Sequence, residues 1–225
     1  MRAWAFYDWA NSVYSLVITS TIFPIYYSIL TTAYEKDEYV KETGQWIKVP
    51  VRNLIKIFGK EYQPDAVYGY SLTLSFVIVV LLSPILSSLA DTIGNKKSFL
   101  QFFCYLGATS CMGLAMFTGM GTVWLGLLFS VTASVGFWGS LVFYNLFLPD
   151  IATRDKQDSL SAKGYVYGYI GSVILVVICL VLIQVCAETP KQAAIYTRVS
   201  FLLTGAWWFG FSQYTFKHLP QFGQV

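Results

Sequence analysis

The chain has 225 residues, of which 56% are hydrophobic, 18% aromatic and only 12% charged, with a formal net charge of +3. Soluble domains carry roughly a quarter charged residues, and the deficit here is uneven, since 12 of the 27 charges fall between Glu35 and Asp65. The uncharged runs left at 9–34, 66–90, 98–149, 164–187 and 199–216 exclude a soluble enzyme, a secreted disulfide scaffold and a nucleic-acid-binding domain.

A helix needs about 20 mostly apolar residues to cross the bilayer. The run 98–149 is of double length, with Gly119-Met120-Gly121 as its hinge. Barrel strands would alternate in polarity. These blocks are continuously apolar, and helices satisfy their own backbone groups. The expectation is an all-α membrane protein, one six-helix bundle over 1–225, with spans near 7–30, 67–90, 98–119, 122–147, 165–187 and 195–215. The first span is too long for a signal-peptide core and has no small-residue cleavage site behind it.

In that first span Asp8, Asn11, Ser12, Ser15 and Thr19 share one helical stripe, Tyr26 continues it, and Trp9, Val13, Leu16 and Val17 face elsewhere. Two readings stand. The stripe lines a water-filled or protein-filled interior, or it supplies inter-helix hydrogen bonds of about 1 kcal/mol each. Asp8 is the one acid placed within a span. It is read as a functional carboxylate that exchanges a proton or holds a solute amine or cation, the alternative being a structural partner for Arg154 or Lys163. Pro24 removes a backbone donor and is expected to kink the outer half of this helix.

Residues 31–66 form the long extramembrane loop. Val51, Leu54, Ile55 and Phe58 make an apolar stripe beside Lys48, Arg52, Lys56 and Lys60, with Pro50 at its start. This reads as a short helix on the outer membrane surface, or as a solvated helix packed on the bundle.

After the second span, Asp91 stands at a helix C-terminus, the negative end of the dipole. Lys96 and Lys97 can turn back on it through Gly94 as a charge latch, the alternative being an ordinary connecting loop. Cys104, Cys111, Cys179 and Cys186 lie within spans, paired seven residues apart. With His218 remote in sequence, they read as packing residues rather than metal ligands.

In the fourth span Gly126, Ser130 and Ser134 permit close helix approach, and Tyr144 with Asn145 is the better site candidate. The fifth opens with Gly164, Gly168 and Ser172, a small-residue series for tight packing, and Tyr165, Tyr167 and Tyr169 read as interfacial anchors. Asp150, Asp155, Asp158 and Lys163 read as a solvated helix connection. The sixth contains Arg198, which can snorkel to the interface. Cations are dense in the short loops on the side of Arg2 and Lys217, which favours both termini inside.

Leu89-Ala90-Asp91-Thr92-Ile93-Gly94-Asn95-Lys96-Lys97 resembles the loop signature of the major facilitator superfamily, with Ser87 for the leading Gly and Thr92 for a basic residue. Trp4-Ala5-Phe6-Tyr7-Asp8-Trp9-Ala10-Asn11-Ser12 with Ile22-Phe23-Pro24 is similar to the opening of its vacuole-effluxer-like family. Phe143-Tyr144-Asn145 with Leu148-Pro149-Asp150-Ile151-Ala152, and Ser161-Ala162-Lys163-Gly164-Tyr165 with Gly168-Tyr169, resemble that family's fourth-helix exit and fifth-helix start.

The resemblance implies the N-terminal six-helix half of a secondary transporter that works by alternating access, with the solute path between halves near mid-membrane. It implies a small polar solute, an amino acid exported by the vacuolar members. Asp91 is expected to engage the missing C-terminal half or a second chain. No Gly-x-x-x-x-Gly-Lys-Ser/Thr loop occurs, so energy comes from a gradient or downhill flow. No catalysis, cofactor, metal or nucleic acid is expected. The partners are the lipid bilayer, the solute and the other half. The location is the cell (inner) membrane, or the vacuolar membrane in a eukaryote. The competing classes are a non-transporting membrane scaffold and a membrane-embedded enzyme.

Overall fold

The computed structural model describes residues 1–40, 45–93 and 95–220, with the backbone alone at 40, 45 and 89–93. Six long helices dominate: α1 (Arg2–Thr31), α2 (Pro64–Ile93), α3 (Lys96–Gly113), α4 (Val123–Leu146), α5 (Arg154–Gln184) and α6 (Pro190–His218). The hinge at Gly119 separates two single turns, Leu114–Met116 and Met120–Thr122, so the double-length run forms two helices as expected.

The first five helices are long and apolar enough to cross a membrane. The sixth has the length, 29 residues, but falls short in apolar composition. Its hydroxyl residues Thr197, Ser200, Thr204 and Thr215 are buried. Thr197, Ser200 and Thr204 bond carbonyls four residues back within the helix. A capping box of Thr189 and Gln192 starts the helix, with Pro190 in its first turn where a missing donor costs nothing.

The helix α3 packs on α4 and α6, α1 packs on α5 and α6, and α2 leans on α4. Small residues set these approaches. A Cβ on Gly136 of α4 would strike the backbone of Gly107 in α3. Ser134 of α4 meets Ser75 of α2 at 2.8 Å in a buried contact. Cys104, Cys111 and Cys179 are buried within this packing. Cys186 is exposed and lies beyond Gln184, the last residue of α5, although the sequence placed it within the fifth span.

Both ends of the bundle are tied. On the face holding the first and last described residues, Thr215 donates to the Ala3 carbonyl at 2.9 Å and Lys97 to that of Leu219 at 3.0 Å. At the opposite end Tyr26 donates to the Phe117 carbonyl at 3.0 Å and Arg198 to that of Ala115 at 2.6 Å. Arg198 thus meets a carbonyl that the end of a helix leaves without a partner.

The surface helix expected within 31–66 is not formed. Two antiparallel hairpins stand there: β1 (Thr32–Val40) with β2 (Gln45–Arg52), and β3 (Ile55–Ile57) with β4 (Lys60–Tyr62). Ile47, Val49 and Val51 alternate with Lys48, Pro50 and Arg52. This two-residue period of β-branched side chains outweighs the looser helical stripe. Phe58 and Gly59 have φ of 50° and 78° and form the two-residue turn, which needs positive φ at both positions. Arg52 bonds the Ser28 carbonyl at the end of α1 and lies 3.7 Å from Asp65.

Candidate functional site: a polar cavity between four helices

A cavity of about 780 Å³ opens between α1, α2, α4 and α5. Its α1 wall carries Asp8, Asn11, Ser12, Ser15, Leu16 and Ser20, and α5 adds Ser161, Tyr165, Gly168, Tyr169 and Ser172. The facing wall is apolar: Phe76, Val79 and Val80 of α2, and Phe137, Leu141 and Val142 of α4, with Trp138 at its side. Tyr144 and Asn145 of α4 close one end with Trp4. Neither α3 nor α6 contributes a lining residue.

The polar stripe holds its α-helical register only to Ser15. From Tyr14 to Ile22 the backbone is a π-helix, and the Thr21 hydroxyl bonds the Leu16 carbonyl five residues back at 2.7 Å. A π segment advances its face by about five residues where an α-helix advances by about four. Ser20 therefore follows Ser15 along the cavity, Leu16 turns in beside it, and Thr19 is rotated out. Thr19 does not line the cavity, and its hydroxyl is buried without a protein partner. Tyr26, the expected continuation of the stripe, is buried among aromatic rings. Pro24 sits where the π segment passes into the α-helical segment Phe23–Thr31, and there it removes one backbone donor from the continuous helix.

Asp8 accepts a 3.0 Å hydrogen bond from the Tyr144 hydroxyl. Tyr144 is held in turn by Trp4, whose ring stacks on it at 4.1 Å and whose indole donates to the Tyr144 carbonyl at 2.9 Å. Among the described residues Asp8 makes no ion pair, so neither Arg154 nor Lys163 serves as its structural partner. Asn11 is fully buried. Its Oδ1 accepts from Ser12 at 3.3 Å, and its Nδ2 has no protein partner. The Ser172 hydroxyl is likewise buried and unpartnered in the protein.

The small residues of α5 bring this wall against α1. A Cβ on Gly164 would collide with the Asp8 carboxylate, and one on Gly168 would stand 2.6 Å from the Ser12 hydroxyl. The series read as packing residues thus packs directly on the polar stripe. Tyr165 and Tyr169, whose sequence positions suggest interfacial anchors, line the cavity instead. Their signal was the spacing of Ser161, Tyr165, Gly168, Tyr169 and Ser172 on one helical face.

Of the other site candidates, Lys96 and Lys97 lie apart from the cavity, at one end of the bundle. Lys96 pairs with the exposed Asp150 at 3.2 Å, and Lys97 donates to the Leu219 carbonyl. Gly94 and the side chain of Asp91 are outside the described residues.

A family model described as "Vacuole effluxer Atg22 like" matches residues 1–224. The chain is 34% identical over 222 residues to a protein of Bacillus subtilis (strain 168) named "Uncharacterized MFS-type transporter YxiO". The match covers 98% of this chain and 46% of that protein, so the chain spans about half the length of that relative. No solved structure matches.

Proposed function

The chain belongs to the vacuole effluxer Atg22-like family, and from that premise we propose that it forms one six-helix half of a membrane transporter for a small amine-bearing solute, an amino acid. The observation that carries this reading is Asp8: a carboxylate in a cavity between membrane-spanning helices, bonded to Tyr144 and without a cation among the described residues. A charge withdrawn from water is stable only when matched, and an intramembrane acid marks a solute or ion path by default. A solute ammonium supplies the match when the site is filled, and a proton supplies it when the site is empty.

The rest of the cavity suits the remainder of an amino acid. The hydroxyls of Ser15 and Tyr165, on exposed residues of the cavity wall, are donors for a carboxylate, and the wall of Phe76, Val79 and Val80 accepts an apolar side chain. Asp91, Gly94, Lys96 and Lys97 act away from the solute, controlling exchange between inward-facing and outward-facing states with the other half.

Flux of radiolabelled amino acids into proteoliposomes separates transport from a scaffold or enzyme role. Saturable uptake that requires this chain together with a C-terminal half supports the proposal. No uptake of any amino acid by the assembled halves contradicts it.

A further inference from the structure

A second recess, of about 150 Å³, lies on the opposite side of the α1–α5 contact from the large cavity, at the end of the bundle where α1 and α5 begin. Arg2 of α1 and Lys156 and Lys163 of α5 converge on it, with Ser159 and Tyr167 beside them. The α5 contributors 156, 159, 163 and 167 share one helical face. No carboxylate lines the recess, and none of the three cations forms an ion pair among the described residues. Asp158 of the same helix is out of register with that face, and Asp155, one turn before Ser159, does not line the recess.

The same face continues into the span as an apolar stripe. Ile170, Ile174, Val177 and Val181 follow Tyr167 at three- and four-residue spacing, and all of them are exposed. A recess of three cations and two hydroxyl-bearing side chains, set directly above an exposed apolar stripe of a membrane-spanning helix, matches an amphiphile with an anionic head. A free anion would use the cations and leave the stripe unexplained.

We propose that this recess is a binding site for an anionic phospholipid, with the phosphate between Arg2, Lys156 and Lys163 and an acyl chain along Ile170, Ile174 and Val177. Basic recesses between helices at a membrane surface hold lipid head groups in this way, each cation adding to the attraction.

The test is native mass spectrometry of the detergent-solubilised chain titrated with phosphatidylglycerol or with phosphatidylcholine of the same acyl chains. The site predicts retention of phosphatidylglycerol over phosphatidylcholine. It also predicts a loss of that preference by roughly tenfold or more in Lys156→Ala/Lys163→Ala, on the usual contribution of two surface cations. Lys156→Arg/Lys163→Arg should keep the preference, and so should Lys191→Ala, at the opposite end of the bundle. These two variants separate loss of the site from loss of the fold. Equal retention of the two lipids, or a preference that survives in Lys156→Ala/Lys163→Ala, overturns the proposal. Displacement of phosphatidylglycerol by millimolar inorganic phosphate also overturns it, because it marks a soluble-anion site.

Discussion

At the scale of single residues, the cavity is organised around Asp8, and its neighbours differ in what their removal should cost. Tyr144→Phe deletes one hydrogen bond to a carboxylate, worth about 1.5–3 kcal/mol for a charged acceptor. Solute affinity should fall roughly tenfold or more, while the Trp4 stack keeps the ring in place; an unchanged equilibrium dissociation constant would show that the bond is idle. Gly164→Ala asks for space that the Asp8 carboxylate occupies. Over-packing of this kind costs about 1–3 kcal/mol, so the variant should melt at a lower temperature in detergent and bind solute more weakly. A variant as stable and as active as the parent would mean that α1 and α5 are not in close contact at this point.

At the scale of elements, what could be read from sequence depended on periodicity. The helices were legible because apolar runs of span length admit one structure in a bilayer, and the Gly119 hinge because glycine breaks such a run. The α5 face was legible as packing, since Gly164 and Gly168 have no side chain to place elsewhere. The π segment of α1 was not legible. Tyr14–Ile22 carries no residue type that dictates an i→i+5 register, so the stripe was extrapolated to Thr19 when the backbone turns Ser20 inward. The hairpins were missed because Val51, Leu54, Ile55 and Phe58 also satisfy a helical spacing, and the alternation from Ile47 to Arg52 had to be weighed against it. Two measurements check these elements. Ser20→Cys should react with a thiol reagent that enters the cavity and Thr19→Cys should not; the reverse order would restore the α-helical register. Gly59→Val places a β-branched residue at a φ of 78°, so the β3–β4 hairpin should lose protection from proteolysis, whereas unchanged protection would contradict the turn.

At the scale of the whole molecule, four helices surround the cavity and two stand behind it, with the ends of the bundle tied by backbone-directed bonds from Tyr26, Arg198, Lys97 and Thr215. Residues 36 and 96 belong to opposite ends, so membrane-impermeant labelling of single cysteines there should give opposite sides, and labelling from one side would break the topology. Asp91→Asn should slow transport by the assembled halves while leaving solute affinity nearly intact; a large loss of affinity would move Asp91 into the solute site. The central claim is that Asp8 recognises the amine of the solute. Its most direct test is equilibrium binding of radiolabelled amino acids, and of their counterparts lacking the amine, to the purified chain and to Asp8→Asn. The account predicts that the parent chain prefers the amine-bearing member of a pair and that Asp8→Asn loses this preference while remaining folded. Equal binding of both members by the parent chain, or an undiminished preference in Asp8→Asn, would contradict it.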